Sequence, residues 1–232
     1  MSGGADDGTP RLRSDARRNR GLLVEAAHEV FTEQGLDAPL DVIARRAGVG
    51  NATLYRHFPT RAALVDAVFR DALTDTMDAG TRARQAPDAW AGLTAYLEEV
   101  FGALAADRGA NDLMTTHLRG VDSLEAVHEH NRRTVEALLS RCRDEGTVRA
   151  DVTTEDVLFA LAALGRAVPA LTAATVPDAW RRPLALLLAG LRAAPASEPL
   201  PAPALTADGL GDVLRELGPH RTRAGGPATA DA

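Results

Sequence analysis

Apolar residues in this chain recur at intervals of three and four, and no stretch alternates strictly in twos, so every predicted element is a helix. Leu23, Ala26, Ala27, Val30 and Phe31 share one face of a helix expected over about Ser14–Gln34, with Gly35 as its stop. A short helix from Leu40 to Ala47, closed by Gly48, carries Val42, Ile43 and Ala47 as its apolar positions. A third runs from Asn51 to His57 and has to end there, because Pro59 pushes the residue before it out of the helical region.

Beyond Thr60, a plausible N-cap, the periods lengthen. Leu64, Val65, Val68, Phe69 and Leu73 mark one long helix; Trp90, Leu93, Leu97, Val100, Phe101 and Leu104 mark the next, opened by Pro87 and Asp88. A shorter helix follows near Ala110–His117, then one over about Ser123–Glu145 that stops at Gly146. Thr154 can cap a helix bearing Val157, Leu158, Leu161, Leu164 and Val168. Trp180, Leu184, Leu187, Leu188 and Leu191 lie on the last strong helix, which Pro183 either opens or bends. The expected fold class is all-α: an N-terminal three-helix unit with a helix-turn-helix, followed by a helical bundle.

Punctuation divides the chain into a disordered arm at 1–13, a small domain at 14–59, a body at 60–194 and a Pro/Ala/Gly-rich tail at 195–232 with a possible short helix at 206–217. Length allows one large or two small domains with a sizeable core. No run of 18 apolar residues predicts a membrane span, and the polar amino terminus does not read as a secretory signal. Cys142 stands alone, so neither an internal disulfide nor a multi-cysteine zinc site is expected, and no metal or cofactor is expected elsewhere. The expected location is cytoplasmic.

The net charge of −6 argues against nucleic acid until its distribution is considered. Residues 10–61 hold nine arginines (11, 13, 17, 18, 20, 45, 46, 56, 61) against six acids (15, 25, 29, 33, 37, 41). A basic head on an acidic body fits a local DNA-binding module, and a solvated charged tail is the plainer alternative. The chain has no lysine, so every long cation that meets a phosphate must be arginine.

The two short helices joined by Gly48-Val49-Gly50 have the dimensions of a helix-turn-helix, whose second helix enters the major groove by its amino-terminal end. That end is Asn51-Ala52-Thr53. Asn can pair with adenine, Thr can bond a base edge or meet a thymine methyl, and Ala allows close approach. Tyr55, Arg56 and His57 can donate to phosphates, and Arg61 can add a further clamp. Core packing is the alternative for Tyr55 and the favoured role for Phe58.

From about Arg17 to Phe69 the chain resembles the DNA-binding domain of TetR family transcriptional regulators. The resemblance rests on Phe31-Thr32-Glu33-Gln34-Gly35, on Ile43-Ala44-Arg45-Arg46-Ala47-Gly48-Val49 and on Leu54-Tyr55-Arg56-His57-Phe58. It implies base contacts from Asn51, Ala52 and Thr53, and phosphate contacts from Tyr55, His57 and Arg61, with Arg56 less uniformly used. The family often opens its second helix with Thr; here Ala38-Pro39-Leu40 stands there, so Asp41 or bare amides must substitute. The body, through Leu139-Ser140-Arg141, Gly146–Val152 and the Leu184–Leu191 helix, is similar to the SbtR-like subgroup.

The resemblance further implies a homodimer built from the last two body helices, near 154–170 and 178–193, and an effector pocket among the middle helices. Ala160, Ala162, Ala163 and Gly165 with Ala185, Ala189 and Gly190 suit close helix approach around Leu161, Leu187 and Leu191; completion of a monomeric core is the alternative. His128 and Asn131 interrupt the apolar face Leu124, Val127, Val135, Leu138 and Cys142, and His117 can join them in a pocket. Satisfied core polar groups are the plainer account. His128 and His130 lie two apart on different faces, which disfavours a shared metal.

The expected function is a non-enzymatic, ligand-released repressor of a double-stranded DNA operator. A helical enzyme or a small-molecule-binding protein that never touches DNA is the alternative. No nucleophile elbow, phosphate loop or HExxH supports the enzyme.

Overall fold

The computed structural model of the protein describes residues 9–115, 121–194 and 198–217. Among these residues ten helices run in order: α1 Thr9–Gln34, α2 Leu40–Arg46, α3 Asn51–His57, α4 Arg61–Arg84, α5 Ala89–Ala106, α6 Arg108–Met114, α7 Asp122–Asp144, α8 Thr154–Ala174, α9 Arg181–Leu191 and α10 Ala207–Leu217. They include no strand, only one isolated bridge between Val148 and Arg192. The all-α expectation holds.

Local chemistry explains most boundaries. Gly35, Gly48 and Gly146 take positive φ values of 85°, 70° and 66°, ending the helices before them in a backbone shape that side chains with a Cβ resist. The Thr60 and Asp88 side chains accept from the amides of Ala63 and Ala91, capping α4 and α5. α8 departs from the reading that Thr154 caps it. Thr153 is the N-cap, and its hydroxyl and the Asp156 carboxylate bond reciprocally to each other's backbone amides. α1 begins at Thr9 rather than Ser14, so the expected arm at 1–13 is helical from its ninth residue. Pro183 lies in the first turn of α9, where its missing amide costs nothing, and so opens that helix.

α8 also continues through Pro169, which removes one backbone donor. The carbonyl that would have received it belongs to Gly165. Asn111, fully buried on α6, donates its Nδ2 to that carbonyl at 2.8 Å and to the Leu104 carbonyl at 3.0 Å. A side chain therefore repairs the helix, and it ties α6 to α5 and α8 in doing so.

α4 packs on α7 and α5, while its first half also meets α1. Phe69 stacks near Phe31 at 6.3 Å between ring centres, and a Cβ on Gly109 would lie 2.8 Å from its Cζ. One buried ring thus joins α1, α4 and α6. At the other end of α4, Arg141 of α7 donates to the carbonyls of Arg84 at 3.0 Å and Ala86 at 2.9 Å, satisfying groups that a helix end leaves bare. At that same end the Arg84 side chain donates to Thr134 and lies 3.3 Å from His130 Nε2. Burial first, then the Arg84 charge, holds the His130 imidazole below its ordinary pKa, so it stays neutral and accepts from the guanidinium. Cys142 is buried, and its thiol is pushed up chiefly by that burial, as suits an inert core residue.

α8 has the length and apolarity of a membrane-crossing helix, although the sequence holds no unbroken run of 18 apolar residues. It packs by one side on α5, α6, α7 and α10, and 28% of its most apolar stretch is buried.

The α4–α5 turn offers a test. A methyl on Gly92 would sit 2.7 Å from the Ala83 carbonyl oxygen and 3.2 Å from Leu138 Cδ2. Backbone cannot yield as a side-chain tip can. Gly92→Ala is therefore expected to destabilise the fold by about 1–2 kcal/mol despite the better helix propensity of alanine. Urea unfolding reads this; an unchanged or raised midpoint would refute the close approach.

Candidate nucleic-acid interface

The α2–α3 turn is set by Gly48 and by the Val49 amide, which bonds the Ala44 carbonyl at 3.0 Å. Gly50 precedes α3 in extended backbone and offers no side-chain cap. The first amides of α3 are therefore free of a side-chain partner at the end expected to face DNA. Leu54 and Phe58 are buried and anchor the helix from below, and the Arg20 guanidinium lies 5.1 Å above the Phe58 ring.

On the outer side Asn51, Ala52, Tyr55 and Arg56 are exposed, and Thr53 is partly so. Tyr55 shows 52% of its surface, which decides against core packing for this ring. All five belong to one short helix, and Asn51 to Thr53 form its leading end.

The two remaining head residues sit differently. His57 is half-buried, and its Nε2 is shut from solvent without a hydrogen-bond partner. That ring nitrogen is not presented to a phosphate. Arg61 bends back instead of reaching out: its Nη1 donates to the carbonyls of Leu36 and Ala38, both at 2.7 Å. It thereby holds the α1–α2 turn and fixes where α2 begins. Asp41 does not replace the missing Thr cap; it is exposed and lies 3.7 Å from Arg45. The leading amides of α2 carry no side-chain cap.

The charge of the head is partly spent internally. Arg46 bonds Glu33 at 2.7 Å and lies 3.6 Å from Glu29, pinning α2 to α1 and holding the Glu33 carboxyl below its usual range. Arg17, Arg18, Arg20 and Arg56 remain on the surface. Sequence reading missed the Arg20–Phe58 stack; the spacing of one turn between Arg17 and Arg20 on an exposed helix face was the available signal.

In the body, a cavity of about 440 Å³ lies between α7, α8 and α10. His128 and Asn131 both line it, beside Met114, Leu158 and Leu161. His128 Nε2 donates to the Met114 carbonyl at 3.3 Å. Asn131 Oδ1 accepts from the buried Tyr96 hydroxyl at 2.8 Å, leaving its Nδ2 donor without a partner among the described residues. Burial raises the Tyr96 pKa well above its ordinary value, so the phenol keeps its proton and stays the donor. His117 lies outside the described residues. The contribution of α10 through Ala207, Leu210 and Leu214 was not read from the sequence, although Leu210 and Leu214 stand one helical turn apart.

α8 and α9 also correct the expected contact face. Gly165 and Ala162 turn inward, Gly165 so tightly that a Cβ would lie 2.8 Å from Leu104 Cδ1. Leu161 and Leu191 are buried in the chain's own core. The outward surface is instead Phe159, Ala167 and Ala170 on α8 with Ala185, Leu186 and Ala189 on α9.

Three substitutions separate the head residues by role. Asn51→Ala is expected to change which sequence is preferred, by about 1–3 kcal/mol at one base pair. Tyr55→Phe weakens all sequences alike. Arg61→Gln should lower thermal stability and binding together, because it frees the α1–α2 turn. Anisotropy with specific and random duplexes, alongside melting, measures all three; an Arg61→Gln protein of full stability would remove its structural role.

Residues 23–68 match the model for bacterial regulatory proteins of the tetR family, and residues 86–193 match the C-terminal domain of SbtR-like transcriptional regulators. A TetR transcriptional regulator from Streptomyces coelicolor is 31% identical, with 75% of this chain and 98% of that one covered and a TM-score of 0.47. SmeT, the repressor of the Stenotrophomonas maltophilia multidrug efflux pump SmeDEF, shares the fold at a TM-score of 0.53 and 23% identity, over 78% of this chain and 97% of its own. An HTH-type transcriptional regulator of Staphylococcus aureus is 41% identical over 54 residues, which are 23% of this chain and 29% of that protein. The chain thus spans under a third of the length of that curated relative. The chain belongs to the TetR family of DNA-binding transcriptional regulators.

Proposed function

We propose that the protein is a cytoplasmic homodimeric repressor that leaves a double-stranded DNA operator when a small molecule fills the cavity beside α7 and α8. The observation that carries this reading is that α4 belongs to two cores at once, packing on α1 at its start and on α7 and α5 along its length. A change in the body cannot leave the head unmoved.

A second connection runs from the cavity itself. Met114, the last residue of α6, lines the cavity, and its carbonyl accepts from His128. At the other end of α6, Asp107 caps the helix with Oδ1 at 3.0 Å from the Ala110 amide. Its Oδ2 accepts from His28 of α1 at 2.6 Å. A ligand that pushes on Met114 shifts α6 along its axis and pulls on α1, changing the pose of the recognition helix. Ligand binding then selects a head geometry that fits DNA poorly.

The outward apolar face of α8 and α9 supports the dimer. Leu186 is 67% exposed and Phe159 is 39% exposed on two consecutive helices, and a Cβ on Gly190 would meet nothing within 4 Å. A lone molecule gains nothing from keeping these apolar and small residues at its surface. Pairing two copies through them yields two recognition helices, which a two-fold DNA site needs about 34–36 Å apart. That SmeT, with this fold, is a repressor supports repression here.

Two outcomes test the proposal. Leu186→Glu should yield a folded monomer by light scattering and lower operator affinity by at least about 100-fold, the scale lost when two linked sites no longer act together. A dimer of unchanged mass and affinity would defeat the assigned face. His28→Ala should keep operator affinity within about threefold while reducing the loosening caused by a saturating effector, a coupling of typically about 1–3 kcal/mol. Full coupling in that variant would exclude the α6 route.

A further inference from the structure

We propose that α10 is a lid on the ligand cavity, and that a ligand enters by displacing it. The inference rests on the reading of that cavity as the effector site.

The chain continues past the SbtR-like segment, which ends at residue 193, and returns to the body at α10. A latch holds the returning strap. Arg149 grips Asp151 through two bonds of 2.9 Å, and the same guanidinium donates to the Glu198 carbonyl at 2.6 Å. Asp151 in turn accepts from the Leu200 amide at 2.9 Å. Thr206 then caps α10 by accepting from the Gly209 amide at 3.1 Å.

From there α10 meets the body by one face only. Ala207, Leu210, Gly211 and Leu214 form one wall of the cavity, and Leu210 is 3% exposed. No hydrogen bond or ion pair joins α10 to the body among the described residues; its one ion pair, Arg215 with Asp212, is internal. The helix has 11 residues and carries Gly209 and Gly211, so it is too short and too glycine-rich to persist undocked. It docks by apolar burial alone and on release loses its helix. A firm latch at one end and a weak, purely apolar contact at the other are the makings of a hinged cover.

The walls define what it covers. Leu158, Leu161, Leu210 and Leu214 are apolar, while His128 and Asn131 supply hydrogen-bonding groups. Arg132 is neutralised by Glu155 at 2.5 Å, and Glu125 and Glu129 stand at the edge. Such a site takes an uncharged, mostly apolar molecule of small-drug size and disfavours anions.

Nile red, neutral and apolar, is the probe, followed by stopped-flow fluorescence on the full chain. In Leu210→Glu both the association and the dissociation rate constants are expected to rise by about tenfold or more, because the lid no longer closes. Asp151→Asn, on the exposed latch, should move both rates the same way by a smaller factor without touching the cavity. A rise in dissociation alone, or unchanged rates in both variants, would overturn the lid. Ala162→Phe fills the cavity and serves as the control, with melting to confirm its fold. Should it bind the dye as the parent does, the effector-site reading falls and the lid with it. Should it lose the dye while the other two variants match the parent, the lid alone falls.

Discussion

Phe69 is the point on which the rest of the arrangement depends. Its ring is fully packed among Phe31 of α1, the His28 ring at 5.9 Å and the backbone of Gly109 at the start of α6. Close-packed interiors transmit displacement because they have no slack to absorb it. A ring shared by three helices therefore makes the DNA-reading head and the body one mechanical object. Any larger residue at 109 would have to move Phe69, and with it the seat of α1. The His28–Asp107 bond runs alongside this contact and adds direction to it, since a hydrogen bond of 2.6 Å constrains angle as well as distance.

Buried polar groups give the body its definition. Asn111 repairs the carbonyl left bare by Pro169, Arg141 closes the end of α4, and Arg84 gathers Thr134 and His130. Each partner is specific in position, and an unmatched group would be costly to bury. A purely apolar bundle could slide by a residue or rotate. Here a shift of α7 against α4 would break several such bonds together. The weakly held elements are correspondingly few: α10 has apolar contact only, which is why it can move while the core does not.

Much of this was legible in the sequence because periodicity and capping are local. α3 runs from Asn51 to His57 as its pattern required, and Thr60 and Asp88 cap the helices that follow. What escaped was set by contacts distant in the chain. Arg61 looked like a phosphate clamp, since a basic residue after a recognition helix has that plain use; it is held instead by two carbonyls more than twenty residues away. Gly165 and Ala162 looked like a seam for a partner, because small residues at helical spacing read the same whether the neighbour is another chain or the chain's own α5. α8 continues past Pro169 to Ala174 with Asn111 bonded to the carbonyl that lost its donor, and no pattern along the helix announces that partner. His128 and Asn131 were picked out by a local anomaly, polarity on an apolar face, and the cavity lies against both.

The same distinction governs how the head can hold DNA. Of the arginines that give it a positive balance, Arg45 faces Asp41 of its own helix, Arg46 faces Glu33 and Glu29 of α1, and Arg61 is bound to backbone. Those charges shape the head and contribute little counterion release, which requires a cation that meets a phosphate. We propose that grip then falls on the exposed Arg17, Arg18, Arg20 and Arg56, with the Tyr55 hydroxyl and the uncapped amides that open α2 and α3. Backbone amides at a helix start attract phosphate without adding formal charge. On that proposal the head would hold the duplex by a few surface arginines and by geometry. The orientation of α3, and hence the packing at Phe69, decides whether those few contacts are made together.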